Sequence, residues 1–225
     1  MNIIKILDFT QSGGGQKPSI SAAEAQGLDK NGHGTFVAGV LSSTNDECAG
    51  VAPDAELYIL KLFTEEDVTY SSWFIDAFNW CMDNQIDIVN LSTASKDTAD
   101  MPFLEKINEM TEAGIIVVSA IGNDGPTMGS VENPGDLPTV IGVGALTSYQ
   151  SSVASFSSRG MTKQNLLAGV GFAKPDILLP GENVRGLSLN PHKCESKDGT
   201  SFSVPLMTGS IALALSQLDT KIGSE

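Results

Sequence analysis

Ile115-Ile116-Val117-Val118-Ser119-Ala120-Ile121 is an almost wholly apolar run that ends at Gly122-Asn123-Asp124-Gly125. Its length suits a strand rather than a helix. A strand without polar alternation has both faces buried, as in the interior of a parallel sheet covered by helices. The rest of the chain fits that frame. Apolar periodicity predicts a helix over 33–43, with Phe36, Val37, Val40 and Leu41 on one face. Strands are predicted over 56–63, 86–92 and 139–145. Helices are predicted over 71–84, capped by Ser71-Ser72, over 102–113, opened by Pro102 and stopped by Gly114, and from about 201 to 218. Alternating strands and helices imply an α/β fold with a doubly wound, mostly parallel sheet flanked by helices. Residues 10–32, with Gly13-Gly14-Gly15, read as a loop. No repeat or linker divides the 225 residues, which are expected to form one domain.

Bulk properties narrow the partners. A net charge of −14 argues against a nucleic acid or an anionic membrane. The chain shows no unbroken apolar run long enough to predict a membrane span. Met1-Asn2-Ile3-Ile4-Lys5-Ile6-Leu7-Asp8 does not read as a signal peptide, because its apolar stretch is too short and carries charge. The three cysteines are neither paired in Cys-x-x-Cys nor clustered with histidines, so no metal site is expected. Cys81 reads as a buried thiol. Cys48 and Cys194 fall in loops where a disulfide is open, which leaves the redox compartment undecided.

Three polar segments carry the chemistry. Asp198-Gly199-Thr200-Ser201 delivers a serine to the start of a helix, where free N–H groups favour a developing oxyanion. The same residues would also make an ordinary N-cap. A serine hydroxyl needs a base to take its proton, and His33, between Gly32 and Gly34, is the natural candidate. The two glycines are expected to clear room for an approaching peptide. The other histidine, His192, sits in a polar turn. Asn123 follows the buried strand and can donate its amide to an oxyanion, although Gly122-Asn123-Asp124-Gly125 is also strong turn chemistry. Base, oxyanion donor and nucleophile together outweigh the bland reading of each.

These segments resemble the three signature blocks of the subtilisin-like serine proteases, the subtilases, and within them the eukaryotic site-1 protease branch. Gly32-His33-Gly34-Thr35-Phe36-Val37-Ala38-Gly39-Val40, Ala52-Pro53-Asp54-Ala55-Glu56-Leu57, Ser119 to Pro126, Phe156 to Thr162 and Lys174-Pro175-Asp176-Ile177 carry the likeness over nearly the whole chain. The resemblance implies a serine endopeptidase with His33 as base, Ser201 as nucleophile and Asn123 as oxyanion donor. It implies that Leu91-Ser92-Thr93-Ala94 pairs with an extended peptide or protein substrate. No cofactor is expected from the residues themselves; calcium, which members of the family often bind, and a propeptide are what the resemblance adds. It also implies a secretory-pathway lumen, Golgi or ER, with the full-length protein anchored to a membrane, and cleavage of proprotein or membrane-precursor substrates at a basic-containing site.

The chain departs from the family in several places. The family's triad aspartate ends an apolar strand roughly thirty residues before the histidine. Asp8 lies 25 residues before His33 and lacks the following glycine, while Asp29 is too close. The aspartate and its strand are therefore expected upstream of Met1, and the chain reads as clipped at both ends. Ala94-Ser95 stands where the family has two glycines, which would narrow the first substrate pocket. Asn90-Leu91-Ser92 is a glycosylation sequon in a predicted buried strand, where no glycan is expected. A catalytically inactive subtilase-fold binding module is the alternative reading. An α/β-hydrolase is disfavoured, because Ser201 is not in Gly-x-Ser-x-Gly and the histidine precedes it.

Overall fold

The computed structural model describes residues 1–10, 19–20, 29–149, 152–162, 171–190 and 193–222. The loop expected at 10–32 falls mostly outside them, as does His192. The chain begins with β1 (Asn2–Asp8) and β2 (Ser19–Ile20), then α1 (His33–Ser42), β3 (Glu56–Lys61), α2 (Ser71–Asp83), β4 (Ile88–Leu91), α3 (Met101–Glu112), β5 (Ile116–Ala120) and β6 (Ile141–Leu146). It continues with β7 (Gly160–Met161), β8 (Ala173–Lys174), β9 (Ile177–Pro180), β10 (Val184–Leu187), β11 (Cys194–Lys197) and α4 (Thr200–Ile222).

The main strands form two arrays, β2-β1-β3 and β4-β5-β6-β9, and only the β1–β2 pair in them is antiparallel. Pairs β7–β8 and β10–β11 stand apart. The apolar run of β5 explains the layering. Val117 enters a core built with Phe74, Phe78 and Trp80 of α2 and Leu104, Ile107 and Met110 of α3. Its neighbour Val118 points to the other face and meets Val204, Met207 and Ile211 of α4. Successive strand residues alternate in direction, so both faces of β5 must be apolar. A smaller cluster of Phe36, Val40, Val184 and Phe202 binds α1 to α4 and β10.

Some local expectations need correction. Ser71 does not cap α2: the N-cap is Tyr70, without a side-chain bond, and the Ser71 hydroxyl donates to Asp100 instead. Asp100 caps α3 by accepting from the Phe103 amide, two residues before Pro102, the residue expected to open the helix. Thr200–Leu218 in α4 is long and apolar enough to cross a membrane by length and composition. In the fold, however, its first turns form core: Phe202, Ser203, Val204, Thr208 and Gly209 are buried. The composition that suits a bilayer serves here to pack against a sheet on one side and α1 on the other.

Candidate active site

His33 opens α1, Asn123 follows β5 and Ser201 lies in the first turn of α4. All three line one cavity of about 1560 Å³. They gather at the carboxyl ends of the parallel strands, where sites in open α/β sheets form.

The histidine is set by its turn. Gly32, the residue before α1, has φ 87°, a conformation that side chains rarely adopt. A Cβ there would also come within 3.1 Å of Leu189, whereas one on Gly34 would make only an ordinary 3.6 Å contact with Asp29. Gly32 is thus required by the backbone itself, and making room for a peptide is not its main role. Asp29 gathers the turn. Its carboxylate accepts from the amides of Asn31 (3.1 Å), Gly32 (2.7 Å) and Thr35 (2.8 Å) and from the Thr35 hydroxyl (2.7 Å). Burial works against its charge, but the bonds from Gly32, Thr35 and Asn31 prevail and hold its pKa below the ordinary value. Asn31 Nδ2 reaches Asp67 at 3.1 and 3.2 Å, tying the turn to the loop after β3.

The His33 ring rests on Phe202, centroids 5.6 Å apart, and Phe202 meets Phe36 edge-on at 4.6 Å. Burial, and next the positive charge of Lys197, lower the imidazole's pKa from its usual 6.5, with Asp29 and Asp67 pulling the other way. The ring is consequently kept neutral, the form a general base requires. Among the described residues no hydrogen bond joins it to Ser201, Asp8 or Asp29. Asp8 is buried at the end of β1, bonded to the Thr10 amide (2.9 Å) and hydroxyl (2.6 Å), with Lys61 Nζ 4.0 Å away. Asp29 uses both oxygens on its own turn. Neither is placed to orient His33.

Ser201 and Asn123 are joined through Thr200. Gly199, at φ 151°, turns the chain into α4 while its amide donates to Gly181 O at 2.8 Å. The Thr200 amide then donates to Asn123 Oδ1 at 2.9 Å, and the Thr200 hydroxyl reaches the same oxygen at 3.0 Å. A backbone N–H can only donate, so the Asn123 oxygen is pinned and its NH2 is left on the opposite branch, free for another acceptor. Sequence reading missed this role of Thr200.

The segment expected to pair with substrate leaves the end of β4. Only Leu91 lies in β4; Ser92, Thr93 and Ala94 continue as irregular chain. The Ser92 hydroxyl donates to the carbonyl of Ser201 at 2.7 Å and accepts from Asn90 Nδ2 at 3.0 Å. Ser95 exchanges two 2.8 Å backbone bonds with Asn133, which ends the free edge one residue after Ala94. Cys48 and Cys194 are disulfide-bonded, linking the loop after α1 to β11, and Cys81 is a buried thiol whose pKa burial raises to about 12. Among the described residues no three His, Cys, Asp or Glu side chains are grouped to hold a metal ion.

Comparison with known proteins decides the family. Residues 13–224 match the subtilase family. The chain belongs to that family. It is 47% identical over 193 residues to the membrane-bound transcription factor site-1 protease of Rattus norvegicus, a match that covers 86% of this chain and 18% of the relative. It is 46% identical over 188 residues to subtilisin-like protease SBT6.1 of Arabidopsis thaliana, covering 84% and 18%. Among solved structures, Sphericase superposes with a TM-score of 0.78 at 27% identity over 93% of this chain and 69% of that one. The chain thus spans under a fifth of the length of these two relatives.

Proposed function

We propose that the protein is a serine endopeptidase in which Ser201 attacks a peptide carbonyl, His33 takes the proton and Asn123 holds the oxyanion together with the Ser201 amide. The observation that carries this is the bond from the Thr200 amide to Asn123 Oδ1, which fixes the direction of the free amide beside the nucleophile before any substrate arrives. Preset donors of this kind act on charge that develops only in the transition state. His33, neutral by burial, accepts the Ser201 proton and returns it to the leaving amine. Water then clears the acyl-enzyme by the same route. Leu91 to Ala94 offers backbone to an extended substrate, and its neighbours select side chains.

The carboxylate that orients His33 comes from a segment outside the described residues, since Asp8 and Asp29 are engaged elsewhere. The substrates are proproteins or membrane precursors cut at a basic-containing site in the Golgi or ER lumen. The likeness to membrane-bound site-1 proteases supports this, as does the Cys48–Cys194 disulfide, which suits an oxidising compartment. The same lack of a carboxylate on His33 favours the second reading, an inactive subtilase-fold binding module.

Cleavage of internally quenched peptides with basic residues separates the two. The protein extended upstream at its native locus should cleave them, and its Ser201→Ala variant should not. Silence of a folded extended protein would support the binding module.

A further inference from the structure

The proposed chemistry uses no residue of Phe156 to Thr162, although that block carries part of the family likeness. Its first residues run along the turn that presents Asn123. The Ser158 amide donates to Gly122 O at 3.1 Å, and the Gly125 amide donates to Phe156 O at 2.8 Å. The Ser158 hydroxyl accepts from the Asp124 amide at 3.0 Å. Ser158 is fully buried. A peptide unit is planar, so the direction of the Cα–Cβ bond of Asn123 is set by the two planes that flank it. Gly122 O belongs to the plane before Asn123, and the Asp124 N–H to the plane after it. One residue therefore grips both planes, with its amide on one side and its hydroxyl on the other. The fit is close: a Cβ on Gly122, whose φ is 106°, would lie 2.8 Å from Ser158 Oγ and from the Glu132 side chain. Thr200 acts one step further out, on the Asn123 side-chain oxygen. It can turn that amide only about a Cβ that is already placed.

We propose that Ser158 is a positioning residue for the oxyanion donor: its hydroxyl, by holding the Asp124 amide, sets where the Asn123 NH2 stands in the cleft. The effect on turnover rests on the endopeptidase reading; the placement of the side chain does not. A donor of this kind works only within about 0.5 Å of its productive place, so a turn released on one side loses rate while the cleft keeps its affinity for substrate. Ser157 supplies a matched comparison. It is as fully buried, and its hydroxyl also accepts one backbone amide at 3.0 Å, but that amide belongs to Ala145 in β6. The two adjacent serines thus carry the same kind of bond, one on the Asn123 turn and one on the sheet.

The test compares Ser158→Ala with Ser157→Ala in the protein extended upstream at its native locus. Thermal denaturation establishes that each variant is folded and reads its loss of stability, which should be alike in the two. Steady-state cleavage of quenched peptides should show kcat lowered about tenfold in Ser158→Ala with KM unchanged, and wild-type kcat in Ser157→Ala. Equal kcat in the two variants overturns the proposal, because a bond that only supports the fold acts through stability. Ser158→Cys, whose sulfur fills the space but accepts weakly, makes the same comparison where Ser158→Ala does not fold, and the same fall in kcat is expected. Nuclear magnetic resonance of the Asn123 side-chain NH2, identified by its loss in Asn123→Ala, gives a readout that needs no turnover. Its signals should shift or broaden in Ser158→Ala and keep their wild-type positions in Ser157→Ala. If the folded wild-type protein cleaves nothing, the endopeptidase reading fails and these signals alone decide the placement. A shift confined to the Ser158 variant then keeps it, and unmoved signals overturn it.

Discussion

Asn123 shows how one side chain acquires a direction. Its oxygen is taken by two donors of Thr200, so its NH2 has only the cleft to serve. Asn123→Ala should lower kcat about 10²–10³-fold with little change in KM, as for loss of one oxyanion donor. Thr200→Val removes the hydroxyl but keeps the amide bond, and a smaller loss of about tenfold is expected from the same steady-state kinetics. His33 predicts a pH profile. Its pKa lies below 6.5, so the acidic limb of kcat/KM should fall at a pH lower than an ordinary histidine gives. Lys197→Met removes a positive charge that disfavours the imidazolium, and the limb should move upward. An unmoved or downward-shifted limb would contradict the assigned cause. That His33 and Ser201 stand at helix starts was legible in the sequence because the turns before them are local. The grip of Thr200 on Asn123 spans 77 positions and that of Ser92 on Ser201 spans 109, so neither leaves a local pattern.

At the scale of elements, α1 depends on its preceding turn. Asp29→Ala strips acceptors from three amides and a hydroxyl, and thermal denaturation should show a loss of about 1–2 kcal/mol, as for a strong N-cap. Because the folded pKa of Asp29 lies below 3.8, its contribution is present above that value and fades as pH falls through the depressed one. The Asp29→Ala variant should therefore show a shallower acid dependence of stability. The main helices and strands β3, β4, β5 and β6 were readable to within a few residues, since unbroken apolar runs and helical periodicity leave little choice. Strands β1, β2, β7, β8, β9, β10 and β11 were not. Cys194-Glu195-Ser196-Lys197 is polar throughout, and its strand exists because it pairs with β10 and is tethered by the disulfide, a tertiary cause. Ser71 was misread as a cap because its hydroxyl has a distant partner in Asp100.

Over the whole molecule, the Cys48–Cys194 bond closes a loop with a sequence separation of 146 and joins α1's exit to the β10–β11 hairpin beside the site. Its loss by Cys48→Ser should cost about 2–5 kcal/mol in denaturant unfolding, largely by freeing the unfolded chain. Residues of β3 and of β4 line the same cavity as His33. Asp8 and Asp29 are the aspartates that the sequence places before His33; that both bind their own turns became clear only from the structure. The most direct measurement is labelling of the folded protein with a fluorophosphonate probe, mapping the modified residue by mass spectrometry. Without an orienting aspartate, turnover in such sites drops about ten-thousandfold yet does not vanish, so slow labelling at Ser201 is predicted, abolished in Ser201→Ala and strongly reduced in His33→Ala. Labelling at another serine, or at Ser201 with a rate indifferent to His33, would contradict the account.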